Sequence, residues 1–150
     1  MSMQGITGAR LLCAETGVET RQDLRIVDGC IAELAPSGTL AELPGVFDAS
    51  GLVVTQAFVD LHVDFGAPGS EWREGLDSGL QAAARGGFSA VCQSPGTTPV
   101  NDNAGLTGWL RAEAERRGGT RLLPVPALTC WRSGTPPTEM FELKDAGAVA

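Results

Sequence analysis

Asp60, His62 and Asp64 are the residues of this 150-residue chain whose types and spacing could do chemistry. His62 is the single histidine of the sequence, and a carboxylate stands two residues away on either side of it. All three lie in Ala57-Phe58-Val59-Asp60-Leu61-His62-Val63-Asp64, a short run that is otherwise apolar. It is bounded by Thr55-Gln56 and by Gly66-Ala67-Pro68-Gly69, which reads as a buried strand. Side chains alternate along a strand, so this reading puts Asp60, His62 and Asp64 on one face and Leu61, Val63 and Phe65 on the other. Burying such polar groups without partners costs on the order of several kcal/mol. A metal or ligand cavity at the C-terminal end of the strand would supply partners, since imidazole and carboxylate both ligate divalent metals. A solvated strand end, or a histidine bonded to a carboxylate for structural reasons, would satisfy them equally well.

The elements around this strand must hold it in place, and composition bounds what they can be. With 43% hydrophobic and 19% charged residues the chain has the make-up of a soluble globular protein with a sizeable core. No run approaches the roughly 18 apolar residues of a membrane span. The start, Met1-Ser2-Met3-Gln4, has neither a basic nor an apolar leader segment, so a cytoplasmic location is expected. A net charge of −7 argues against nucleic acid as a partner, because phosphates repel such a surface. The four cysteines, Cys13, Cys30, Cys92 and Cys130, form no C-x-x-C pair and read as small buried hydrophobes.

Before residue 55 the signals are those of hairpins. Leu24-Arg25-Ile26-Val27 and Cys30-Ile31-Ala32-Glu33-Leu34 flank Asp28-Gly29, the pair favoured where a two-residue turn needs positive φ. Residues 1–54 are therefore expected to form a small antiparallel β module of sandwich type. Residues 55–150 then alternate strand and helix signals. A helix capped by Ser70 with Trp72, Leu76 and Leu80 on its apolar face is stopped by Gly86-Gly87, and a strand follows at Phe88 to Cys92. Asp102 or Asn103 caps a second helix over Leu106 to Arg117, with Trp109 and Leu110 on its inner face. Leu122 to Leu128 is a third strand candidate, weakened by Pro124 and Pro126, and a third helix near Glu139 to Ala146 precedes Gly147 to Ala150, which reads as a strand starting. Repeated strand-then-helix units with buried strands imply right-handed crossovers and a parallel sheet, doubly wound or closed into a barrel.

Asp60-Leu61-His62-Val63-Asp64 with Pro68-Gly69, then Ala82-Ala83-Ala84-Arg85-Gly86-Gly87-Phe88, then Ser94-Pro95-Gly96-Thr97-Thr98-Pro99-Val100-Asn101-Asp102-Asn103, resemble in content and order the first part of dihydroorotase, of the amidohydrolase superfamily. The resemblance covers essentially the whole chain. It implies the start of a (β/α)8 barrel, about three βα units, whose C-terminal face would hold zinc and open the cyclic amide dihydroorotate in pyrimidine biosynthesis. It also makes His62 and Asp64 the metal positions, and Gly66 and Gly96 the positions of the substrate-binding arginine and asparagine.

The departures from the family's pattern fall on those positions. Asp64 stands where the family has a second metal histidine, Gly66 where it has an arginine for the substrate carboxylate, and Gly96 where it has the asparagine of Pro-Asn-Thr. Thr55-Gln56-Ala57 also replaces a common proline and glycine at the strand entry. A carboxylate can ligate zinc, so Asp64 weakens the metal site without abolishing it. A (β/α)8 barrel takes about 250 residues. The family's further metal ligands and catalytic aspartate are thus expected outside this chain, which holds no catalytic residue of its own. Three readings follow: an inactive dihydroorotase homologue retained for a structural or regulatory role, with aspartate carbamoyltransferase or a second copy as partner; a zinc-dependent cyclic amidohydrolase completed elsewhere; and an acidic binding module. Under the first, zinc binding is weak or absent.

Overall fold

The Asp28-Gly29 pair turns the chain as its chemistry requires: both residues have positive φ, 50° and 76°, and Val27 pairs directly with Cys30 across the turn. In the computed structural model, which describes residues 4–17 and 19–149, this hairpin is the centre of the first of two compact units, Met1–Gln56 and Ala57–Ala150. Strands β1 (Gly5–Thr7), β2 (Arg10–Leu12), β3 (Glu19–Val27), β4 (Cys30–Pro36), β5 (Val46–Asp48) and β6 (Val53–Thr55) form its sheet. The long β3 runs antiparallel to β1, β2 and β4, but β5 pairs parallel with β1 and β6 parallel with β2. The module is thus mixed where an antiparallel one was expected. The connection between β4 and β5 carries the chain back to the start of β1 instead of making a further hairpin, which leaves the last two strands running with the first two.

One carboxylate ties this unit together. Asp23, fully buried on β3, accepts from the Thr7 hydroxyl at 2.9 Å and the Gly8 N–H at 3.3 Å through Oδ1, and from the Leu40 N–H at 2.9 Å through Oδ2. It links β1, the Gly8 turn and the long β4–β5 connection to the central strand.

The second unit is built of β7 (Phe58–Val63), α1 (Leu76–Arg85), β8 (Phe88–Gln93), α2 (Ala104–Arg117), β9 (Arg121–Pro124), a single 3-10 turn at Cys130–Arg132, and α3 (Met140–Asp145). β7, β8 and β9 make a parallel sheet in that order. Its core joins Phe65, Leu80, Val91, Leu110, Ala114 and Leu122. Gly79 lets α1 come close: an added Cβ there would stand 2.6 Å from Phe65 Cδ1. Asn103 caps α2, its side chain accepting from the Leu106 N–H at 3.0 Å, so Asn103→Ala should cost about 1 kcal/mol in thermal unfolding. An unchanged melting temperature would refute that role.

Several expectations for this unit need correction. Helix α1 starts at Leu76 behind Gly75, with Ser70 to Arg73 forming turns ahead of it, and Trp72 is 85% exposed. The Ser70 N–H bonds to the Gly66 carbonyl, which commits that segment to a turn. Trp109 is also largely outside the core, and Thr107 takes the fully buried place beside Leu110. β9 ends at Pro124 because Pro126 has no N–H to continue the ladder. Residues 147–149 form no strand, although the Val149 N–H donates to the Pro124 carbonyl at 3.1 Å, and Ala150 lies outside the described residues. Among the cysteines only Cys92 is buried, and all four are free thiols.

Candidate functional site

β7 is an edge strand with β8 alone beside it in the sheet, and it is not buried: Leu61 is 78% exposed, His62 and Asp64 are exposed, and Asp60 is half-buried. The simple alternation is also interrupted. Asp60 pairs with Val91 and Val63 with Gln93, so Leu61 and His62 stand against Cys92 alone. A bulge of this kind locally re-aims side chains. The Asp60 side chain turns back along its own strand and accepts from the His62 N–H at 2.9 Å. The sequence pattern therefore misplaces Asp60 in a regular three-residue ladder; its carboxylate is engaged by local backbone.

Asp64 sits beyond the end of β7 among groups from three other segments. Its Oδ2 lies 3.3 Å from Arg73 Nη2, in the turns ahead of α1, and its Oδ1 accepts from the Ser94 hydroxyl, 3.4 Å away just after β8. Both members of the ion pair are about half exposed, so the pair orients Asp64 while stabilising the fold by under about 1 kcal/mol. Gly96, one loop further, borders the same space. A Cβ there would stand 3.3 Å from Arg132 Nη1, 3.6 Å from Ser94 Oγ and 3.9 Å from Asp64 Oδ1. Arg132 arrives from the loop after β9. The site thus gathers side chains at the C-terminal ends of parallel strands, where ligands of such sheets bind.

The loops are fixed from beneath. Gln93, wholly buried at the end of β8, donates from Nε2 to the Ala67 carbonyl at 3.0 Å and the Phe65 carbonyl at 3.4 Å. Asn101, also wholly buried, bonds through its carbonyl oxygen to the Thr107 hydroxyl at 2.8 Å. Asp102 Oδ2 accepts from the Trp131 N–H at 2.8 Å, joining the loop after β8 to the loop after β9. Glu71 accepts from the Gly69 N–H, which with its own N–H draws its carboxyl below the usual value. Gly66 occupies a point where backbone crowds: a Cβ would collide with the Ser70 carbonyl and stand 2.9 Å from that of Glu74.

The structure brings Asp64 and Gly96 together, with His62 two residues along the strand and Gly66 held in the loop by backbone contacts. Arg73, Ser94, Arg132 and Gln93 escaped sequence reasoning. The available signal was a pair of large residues, Trp131-Arg132, inside a run rich in Ser, Gly, Thr and Pro. Among the described residues no three of His, Cys, Asp and Glu gather as a metal-holding group, and Asp64 faces a guanidinium.

Comparison with known proteins gives these positions a context. The family model described as dihydro-orotase-like matches residues 51–150. The dihydroorotase of Geobacter metallireducens is 39% identical over 150 residues, covering 97% of this chain and 34% of that protein; the dihydroorotase of Shouchella clausii is 39% identical over 145 residues, with 97% and 33% covered. The chain therefore spans about a third of the length of these relatives. Among solved structures, the L-hydantoinase (dihydropyrimidinase) of Arthrobacter aurescens superimposes with a TM-score of 0.77 at 23% identity, covering 99% of this chain and 32% of that one. The D-hydantoinase of a Thermus species gives 0.67 at 19% identity, with 94% and 30% covered. The parallel unit is accordingly the beginning of a (β/α)8 barrel, preceded by its small β module.

Proposed function

Because the chain belongs to the dihydroorotase-like family, we propose that it is a homologue of the dihydroorotases of pyrimidine biosynthesis that does not itself hydrolyse a cyclic amide and is retained for a structural or regulatory role. The Asp64–Arg73 pair carries this reading. The carboxylate in the place of the family's second metal histidine faces a guanidinium 3.3 Å away, so the protein's own side chain supplies the positive charge there. Gly66 and Gly96, in the places of the substrate-binding arginine and asparagine, offer no side chain to hold dihydroorotate. Losing one good charged or hydrogen-bonding contact costs on the order of 2 to 5 kcal/mol, so two such losses lower a rate by several powers of ten. Aspartate carbamoyltransferase or a second copy of the chain is the partner proposed, and the exposed Phe58, Val59 and Leu61 on β7 are apolar surface for such a contact.

Protein purified without chelators is expected to carry no stoichiometric zinc and to leave dihydroorotate unopened even with zinc added. Turnover by the native chain would refute the inactive reading. Stoichiometric zinc that disappears in His62→Ala would restore His62 and Asp64 to a metal role.

The share of the relatives that these residues cover favours a second reading. About two thirds of a dihydroorotase lies outside the matched region, and His62 has an exposed imidazole free of hydrogen-bonding side chains among the described residues. In that reading the chain contributes His62 and Asp64 to a zinc-dependent cyclic amidohydrolase whose other ligands and catalytic acid lie elsewhere. Joining residues 1–150 to the remaining two thirds of the Geobacter metallireducens protein separates the two: ring opening by the hybrid supports the second reading, and an inert, folded hybrid supports the first. No helix among the described residues is long and apolar enough to cross a membrane.

A further inference from the structure

Among the described residues β4, β7 and β9 are the sheet edges longer than three residues, and two of them are blunted against another strand. β9 ends in Pro124 and is followed by Pro126, which have no N–H to give a further strand. β4 has Glu33 as its middle residue, so pairing with its own copy about that residue would oppose two carboxylates. β7 carries neither device. Phe58, Val59 and Leu61 are exposed on it, and the bulge leaves Leu61 and His62 against Cys92 alone, so the ladder to β8 is interrupted there. An apolar edge of this kind is a template for pairing with another chain.

The charges on β7 indicate which chain. In an antiparallel pair of identical strands the two-fold axis passes through one residue, and the residues on either side of it face each other crosswise. With the axis through Leu61, Asp60 of one copy faces His62 of the other, twice, and Val59 faces Val63. An axis through Asp60 would oppose two carboxylates, and one through His62 would set Asp60 against Asp64. Leu61 is thus the central position at which the strand complements itself. Both groups can take a second partner: the His62 imidazole is exposed, and Asp60 uses Oδ1 for the His62 N–H while Oδ2 carries no hydrogen bond among the described residues. We propose that two copies of the chain pair antiparallel through β7 about Leu61, each His62 imidazole donating to the Asp60 carboxylate of the other copy. This names the partner within the inactive, structural reading of function and rests on it, since the zinc reading would commit His62 to a metal.

Sedimentation velocity of the 150-residue chain over a concentration series, with chelator and reductant present, is the test. A monomer–dimer equilibrium is expected, with the β7 amides slowed in hydrogen exchange as the dimer fills. His62→Asp should weaken association about tenfold, because two attractions become two repulsions. Asp60→His combined with His62→Asp should restore it, since the swapped pair still meets across the axis. Leu61→Lys, at a position already in solvent, should keep the native unfolding midpoint and leave a monomer. The proposal is overturned by a monomer at millimolar concentration, by a dimer that the chelator dissolves, by native association in Leu61→Lys or His62→Asp, or by a swapped double variant no tighter than His62→Asp. A separate assay of dihydroorotate ring opening tests the inactive reading: a monomer without turnover fails this proposal alone, and a dimer with turnover fails that reading alone.

Discussion

Gly66→Ala is expected to destabilise the parallel unit by about 3 kcal/mol, a large effect for the addition of one methyl group. The cause is backbone, which cannot step aside as a flexible side chain would. The new Cβ would collide with the Ser70 carbonyl oxygen and stand 2.7 Å from the Ser70 carbonyl carbon and 2.9 Å from the Glu74 carbonyl oxygen. Relieving the overlap would break the bonds that close the loop, Gly66 N–H to Glu74 at 2.8 Å and Ser70 N–H to Gly66 at 2.5 Å. Urea unfolding followed by circular dichroism, with hydrogen exchange of the Ser70 amide, measures it; a native midpoint and a protected Ser70 amide would show that the loop accommodates a side chain. The same geometry bears on restoring the family's residues. Asp64→His with Gly66→Arg and Gly96→Asn should yield no dihydroorotase activity in these 150 residues and should fold less stably than Gly96→Asn alone, because the nearest atoms to a Cβ at Gly96 belong to side chains, those of Arg132, Ser94 and Asp64, and not to backbone.

The second large effect belongs to Asp23. Burial alone pushes its carboxyl up, but hydrogen bonds from the Leu40 and Gly38 N–H groups, the Thr7 hydroxyl and the Gly8 N–H together outweigh this and hold it below the ordinary carboxylate value. A group whose folded value is depressed contributes stability above its unfolded value and loses it as pH falls through the folded one. The first unit should therefore be fully stable near neutrality and weaken progressively below about pH 4. In Asp23→Asn one oxygen becomes an NH2 group facing N–H or O–H donors, leaving buried donors unsatisfied at about 3 kcal/mol. That variant should unfold the first unit at lower urea and flatten its acid dependence. A variant with the native midpoint and native pH profile would remove Asp23 from this role.

Much of the fold is legible in the sequence itself. The hairpin at Asp28-Gly29 could be read because positive φ at both positions is a local demand that those two residues meet. The parallel strands β7 and β8, the Asn103 cap and the glycine stops after α1 and α2 could be read because periodicity and capping act within a few residues. Membership of an amidohydrolase fold was carried by ordered motifs, which the family match and the hydantoinase superpositions bear out. At the site, Asp64 and Gly96, both named from the sequence, are brought together by the fold, a Cβ at Gly96 standing 3.9 Å from Asp64 Oδ1.

Other features depend on contacts between residues distant in the chain. The bulge at Leu61–His62 arises from pairing with β8, so period two alone could not place Asp60. Arg73 reaches Asp64 across nine residues and Ser94 across thirty, and Arg132 comes to Gly96 from a loop held in the left-handed region by Asp102. The reason Gly66 must be glycine is likewise tertiary: two carbonyls from later turns occupy the place of its side chain. Local propensity records what each residue prefers, whereas the partner of a charge and the space above a glycine are set by whichever distant segment packs there.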